Sequence, residues 1–222
     1  MKNFIKNFIN SKTNYKFFIK NFTQLTDLKI VSYVAKSMRH SLIINPYENK
    51  KKLTGNTIIF SPHPDDEILG CGGTMIEHVK RGDKVGIIIS SEGITSRDDV
   101  RNYEKRKKEV IELSEVSRKI AKDLKVSFID FLSFPDNRLD SVNLLDIVKK
   151  IETRLLDFMP NLIYTHHGND LNIDHCIINI AVLSASRPYP EQTVEKILTF
   201  EIPSSSNWGD ISQVSAFAPN YY

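Results

Sequence analysis

The apolar and polar positions of this chain change rhythm near residue 55. Before it, Phe4/Phe8, Ile5/Ile9 and Phe18/Phe22 recur at helical i,i+4 spacing with lysines between them, which predicts one or two amphipathic helices before residue 45. Asn45, Pro46 and the charged stretch Glu48 to Lys52 then read as a linker. From Asn56 onward, short β-branched apolar runs alternate with longer helical stretches. The runs are Thr57–Phe60, Val85–Ser90, Val126–Phe131, Leu162–Thr165 and Ile197–Ile202, with helices expected near 67–81, 99–122, 143–158 and 174–186. Continuously apolar strands separated by helices predict a Rossmann-like α/β domain, a mostly parallel sheet with helices on both faces. The expected organisation is a basic helical extension over residues 1–52 and a catalytic domain over 53–222.

Composition adds little to the fold and something to the partners. With 222 residues, 41% of them hydrophobic, the chain can bury a full core. The net charge of +3 is uneven, because residues 1–52 carry eleven Lys/Arg against Asp27 and Glu48, a net +9 that leaves −6 for the rest. A basic arm on an acidic body fits an anionic neighbour at a membrane surface or on a partner. It fits equally a solvated lysine-rich helix, a cover over the main domain or a contact with a second copy in a homo-oligomer. Nucleic acid is a poor partner, since the arm has no stacking aromatics on a strand platform. Cys71 and Cys176 alone make no disulfide framework, so a reducing cytoplasm is the expected compartment. No run approaches the roughly 20 apolar residues of a bilayer span, which leaves peripheral membrane contact as the limit.

The chemistry is concentrated in two segments. Directly after the first strand comes Ser61-Pro62-His63-Pro64-Asp65-Asp66-Glu67, followed by Gly70-Cys71-Gly72-Gly73. The carboxyl end of a strand is where ligands bind in open α/β sheets. An imidazole and a carboxylate three residues apart on a tight turn can reach one ion, and an adjacent acid can reach water bound to it. After the fourth strand, Thr165-His166-His167-Gly168-Asn169-Asp170-Leu171-Asn172-Ile173-Asp174-His175 holds three of the six histidines. If the first and fourth strands are neighbours, both loops open at the same sheet edge. His40 and His78 sit in helical context and read as surface or packing residues. The glycines fit neither a dinucleotide nor a P-loop fingerprint and read as close helix–sheet packing.

Together these segments resemble the PIG-L/LmbE-like family of zinc-dependent N-acetylglucosamine deacetylases, over roughly residues 55 to 219. Ser91-Glu92-Gly93, Arg106 with Glu109, and Phe134-Pro135-Asp136 add to the resemblance. It implies His63, Asp66 and His175 as ligands of one Zn2+ and Asp65 as the general base that serves a water attacking the acetyl carbonyl. Ferrous iron would fit the same donors. It also implies Arg106 and Asp136 as contacts to an N-acetylated sugar. The chain departs from many relatives in having Asn172 where they carry an oxyanion-stabilising histidine. Either Asn172 donates instead, or His166 or His167 takes over beside the substrate. Asp174 reads as a carboxylate orienting an imidazole, or as the N-cap of the helix beginning at His175. Relatives with a similar ending continue past residue 222, so a truncated and a naturally short chain are both open. Two other functions remain on these residues: an amidase for another acylated glycoside or thiol precursor, and a catalytically weak metal-binding docking protein.

Overall fold

The computed structural model describes residues 54–206 and Phe217. The expected helices of residues 1–52 lie outside the described residues. Contacts divide the chain into two units, Met1–Glu48 with Arg187–Gln192, and Asn49–Ser186 with Thr193–Tyr222. Of the first unit only Arg187–Gln192 is described, a turn in which the Gln192 amide donates to the Tyr189 carbonyl at 3.0 Å.

The second unit is built on five strands: β1 (Thr57–Ser61), β2 (Val85–Ser91), β3 (Phe128–Phe134), β4 (Leu162–His166) and β5 (Lys196–Phe200). All pairs are parallel and the order is β3-β2-β1-β4-β5. The helices are α1 (Asp66–Lys80), α2 (Tyr103–Asp123), α3 (Leu144–Phe158), α4 (Ile173–Ala185) and the short α5 (Pro203–Ser206). β1 is buried along its whole length, as a strand covered on both faces must be.

Alternation along the strands sends successive side chains into two cores. Ile58, Phe60, Ile88 and Ile163 pack with Ile147, Ile151 and Leu155 of α3 and Ile178, Ala181 and Val182 of α4. Ile59, Ile87, Ile89 and Tyr164 pack with Cys71 and Met75 of α1 and Ala121 of α2. Helices therefore cover both faces, as expected. Because β1 feeds β2 and β3 on one side while β4 and β5 lie on the other, the order reverses between β1 and β4. That crevice is the general ligand site of such sheets.

The boundaries differ from expectation where backbone geometry overrides hydrophobicity. Val126 lies in the turn that closes α2 rather than in β3: Lys125 is left-handed, with φ 58°, and the Val126 amide donates back to the Ala121 carbonyl at 2.9 Å. Only Ser127 begins the sheet, donating to the Val85 carbonyl at 2.7 Å. Likewise α2 starts at Tyr103 rather than near 99, because the Asn102 side chain caps it by accepting from the Lys105 amide at 3.0 Å.

Of the motif glycines, Gly70 alone is pressed against the sheet. A Cβ there would sit 2.2 Å from Cδ2 of Phe200 on β5, so any side chain would push α1 away from the sheet edge. Gly72 and Gly73 have room for one.

Candidate active site

Two clamps hold the turn after β1. The Pro62 carbonyl accepts both the Ser91 amide, at 2.8 Å, and the Ser91 hydroxyl, at 2.9 Å. On the next residues of that loop Gly93, with φ 76°, approaches so closely that a Cβ would lie 2.4 Å from Cδ of Pro64. The turn then delivers two consecutive carboxyl groups to opposite environments. Asp66 opens α1 and is 4% exposed, whereas Asp65 faces solvent just before the helix. Asp65 pays for that placement with φ 138° and ψ −32°, a conformation costing a non-glycine residue about 1–3 kcal/mol and typical of functional sites. Its amide donates to the buried Glu67 carboxyl at 3.0 Å, and its carbonyl accepts from Ile68 and Leu69.

β1 and β4 are neighbours, so the second segment arrives at the same edge. Asp66 Oδ2 lies 3.2 Å from His63 Nδ1, 3.2 Å from His175 Nε2 and 3.5 Å from His166 Nε2. Donor atoms of His63, Asp66 and His175 all lie within 4.8 Å of one another. Two imidazoles and a carboxylate at this spacing are a donor set for a divalent cation such as zinc. The surroundings fit a cation as well: the carboxyl groups of Asp66, Asp136, Asp170 and Asp174 are all buried around the two imidazoles.

Each of these two histidines turns its other nitrogen to a carboxyl group. His63 Nε2 is 3.3 Å from Asp174 Oδ2 and 3.5 Å from Asp136 Oδ1. His175 Nδ1 is 3.2 Å from Asp170 Oδ2. Asp170 is itself fixed, its Oδ2 accepting from the Ser206 hydroxyl at 2.5 Å and its Oδ1 from the Asn172 amide at 2.8 Å. Asp174 Oδ1 accepts the Leu139 amide at 3.0 Å. Such pairs set the tautomer and ring orientation of a metal-binding histidine. Asp170 lies within the histidine-rich segment but carries no role in the sequence reading, and Ser206 does not enter it. An aspartate after Gly168-Asn169 looks like a turn residue, and nothing in the chain joins it to a serine 36 positions on.

The remaining expected residues are distributed unevenly. Asn172, not Asp174, caps α4, its Oδ1 accepting the Asp174 amide at 2.9 Å, while its Nδ2 donates to Asn137 at 2.9 Å. Both ends of that carboxamide are occupied away from the cluster. Asp136 is 2% exposed and held by the Ser96 amide at 3.0 Å and hydroxyl at 2.6 Å, so it stands beside His63. His166 lies wholly buried under the cluster. His167 is half-buried, its amide on the Phe200 carbonyl at 2.9 Å and its ring 5.5 Å from that of Phe217. Arg106 is bidentate to Asp98, at 2.8 and 2.9 Å, and donates to Glu109, with no hydrogen bond into the cluster.

The charges follow from this packing. Burial alone would raise Asp66, but hydrogen bonds to His175 and His63 and the nearby imidazoles hold its carboxyl well below the usual range. Asp65 moves the other way, raised by burial and by the negative charge of Asp66. Burial pushes Glu67 up to about 7. Burial opposes charge on His63, yet Asp174 and Asp66 outweigh it and push that imidazole up to about 10. His175 is raised too, against burial, by Asp170 and Asp66. Burial pushes His166 down to about 3. Adjacent carboxyl groups pushed in opposite directions are a common feature of functional sites.

Known proteins share this framework. The family model PIG-L, described as GlcNAc-PI de-N-acetylase, matches residues 58–186. The uncharacterized deacetylase YaiS of Escherichia coli (strain K12) is 26% identical over 162 residues, 71% of this chain and 77% of that protein. Among solved structures, the N,N'-diacetylchitobiose deacetylase from Pyrococcus horikoshii, complexed with its inhibitor MPG, aligns with a TM-score of 0.57 at 15% identity, covering 79% of this chain and 69% of its own. The antimicrobial reagent A40926 pseudoaglycone deacetylase Dbv21 aligns at 0.53 with 18% identity, over 75% and 70%. These two share the fold, and the family match spans more than half of the chain, including both segments that build the cluster. The chain belongs to the PIG-L family and is a deacetylase that hydrolyses amide bonds.

Proposed function

We propose that this deacetylase removes the N-acetyl group from an N-acetylglucosamine-type amino sugar, with His63, Asp66 and His175 holding a zinc ion and Asp65 acting as general base. The observation that carries the reading is the split between adjacent carboxyl groups: Asp66 buried among imidazoles, Asp65 exposed with its pKa raised. When bound, zinc would supply Lewis acidity toward the amide and a water acidified to about pKa 7. Asp66, held well below its usual pKa, stays a carboxylate and serves as a ligand. Asp65 stands on the solvent side with a more basic carboxylate, suited to take a proton from the attacking water and return it to the departing amine. Asp174 and Asp170 keep His63 and His175 turned with Nδ1 and Nε2, respectively, toward Asp66.

The sugar assignment rests on the family description and on the chitobiose deacetylase that shares the fold. Leu69, Leu171 and Ile173, near the ligand residues in the chain, are 65%, 63% and 48% exposed, and a sugar on an apolar carrier would cover such side chains. The test is metal content together with acetate release from N-acetylglucosamine, a nucleotide-linked N-acetyl sugar and a lipid-linked one. Zinc near one per chain with acetate from the lipid-linked sugar is expected. Zinc without acetate from any of the three would move the activity to another acylated amine.

A further inference from the structure

Asp65 stands directly before α1, where an aspartate ordinarily caps the helix with its own carboxyl group. Here its side chain makes no capping bond. The backbone is fastened instead: the Asp65 amide donates to Oε2 of Glu67 at 3.0 Å, and its carbonyl accepts from the amides of Ile68 and Leu69 at 3.0 and 2.9 Å. At φ 138° the residue lies in a region that a non-glycine residue keeps only when its surroundings over-determine it. A carbonyl bonded into the first turn belongs to any helix start, so the bond to Glu67 is the fastening particular to this one. Glu67 is 2% exposed and makes no ion pair among the described residues. The helix dipole favours an acid in the first turn, but an exposed carboxylate meets that preference without losing its water. Burying a carboxyl group without a cation opposes folding. What the buried position adds is the reach to the Asp65 amide.

We infer that Glu67 is the positioning residue of the general base: its buried carboxyl group holds the Asp65 backbone in the turn that keeps the Asp65 side chain on the solvent side while Asp66 enters the cluster. This rests on the reading of Asp65 as base and deepens it. Without the Oε2 acceptor the Asp65 amide loses its partner, and the turn is free to relax toward an ordinary N-cap conformation that carries the carboxyl group away from the attacking water. His63, Asp66 and His175 keep contacts of their own and stay in place. A reacting group displaced by about 1 Å can cost about 10²-fold in rate.

The test is acetate release by the zinc-loaded chain from whichever of N-acetylglucosamine, a nucleotide-linked N-acetyl sugar and a lipid-linked one the wild type turns over fastest. Glu67→Leu should lower kcat about 10²-fold with KM and zinc content unchanged. Glu67→Gln, which keeps an oxygen acceptor, should recover most of that loss. The double variant Asp65→Asn/Glu67→Leu should be no slower than Asp65→Asn alone, because Glu67 acts through the base; a residue that only supports the fold would slow both backgrounds by the same factor. An unchanged kcat in Glu67→Leu, equal losses in the Leu and Gln variants, zinc lost together with turnover, or additive losses in the double variant would each overturn the inference. Should Glu67→Leu fail to fold, Glu67→Asp, which keeps the charge but draws the acceptor back by one methylene, takes its place with the same expected loss. A wild type that releases acetate beside an unaffected Glu67 variant sinks only this inference, whereas a wild type that releases none sinks the proposed function with it.

Discussion

Both ends of the sheet bury a histidine beside a carboxyl group, and only one end leaves such a ring unsatisfied. At the amino-terminal edge, His78 of α1 is 1% exposed, with Nδ1 on Asp83 at 2.7 Å and Nε2 on the Tyr164 hydroxyl at 3.1 Å. Thr57, the first residue of β1, stands 3.4 Å from the same Nδ1. Every polar atom of that ring is met from within the chain, and the network ties α1 to β4. At the carboxyl edge, His166 is met at neither nitrogen and three imidazoles converge on one oxygen of Asp66. Identical residue types thus serve cohesion where they are saturated and chemistry where they are left open. The difference is visible in partners, not in burial.

Removing the open edge should have the largest effect. His63→Ala should lose bound zinc and reduce acetate release to background, measured by metal analysis beside a turnover assay. Asp65→Asn comes next, lowering turnover by about 10²–10⁴-fold while zinc stays bound. The wild-type rate should rise with pH through an inflection above the ordinary carboxylate value, since a raised pKa keeps more of Asp65 protonated in acid. A rate that is flat across that range would remove Asp65 as the base. Asp170→Asn should weaken zinc binding about 10–100-fold, because His175 would lose the acceptor that fixes its tautomer.

The saturated edge predicts a different phenotype. His78→Phe should cost stability, about 1–3 kcal/mol by denaturant unfolding, and leave zinc content and kcat unchanged. Loss of zinc in that variant would erase the distinction between the edges. The smallest effect concerns pH. Burial lowers the His78 pKa below its ordinary 6.5, against the pull of Asp83, so below that value the unfolded chain takes up a proton that the folded chain resists. Stability from this site is therefore present above about pH 6.5 and falls as the pH drops beneath it, and His78→Phe should flatten that slope.

Much of this was legible in the chain. The β-branched runs gave a buried parallel sheet because strands covered on both faces need continuous apolar sequence. His63 and Asp66 could be joined to the histidine-rich segment after the fourth strand because both follow strands whose carboxyl ends face the same edge, and the family resemblance singled out His175 within it. What stayed hidden depends on chain reversal and on contacts between distant residues. Val126 looks like a strand residue, yet left-handed Lys125 makes it the last contact of α2. Asn172 is one of three candidate oxyanion donors by sequence, beside His166 and His167, but the helix begins at Ile173 rather than His175, so Asn172 caps it two residues before the expected Asp174. His78 resembled a surface or packing residue, since its partners Asp83 and Tyr164 meet only in the fold. Asp136 sits in a turn by sequence and beside His63 in space, 73 positions apart.

The central claim is that the open edge divides metal binding from proton transfer between two adjacent aspartates. Zinc content of Asp65→Asn and Asp66→Asn, measured side by side after identical purification, tests it most directly. Zinc near one per chain in Asp65→Asn and a marked loss in Asp66→Asn is the predicted result; equal retention or equal loss in the two variants would contradict it.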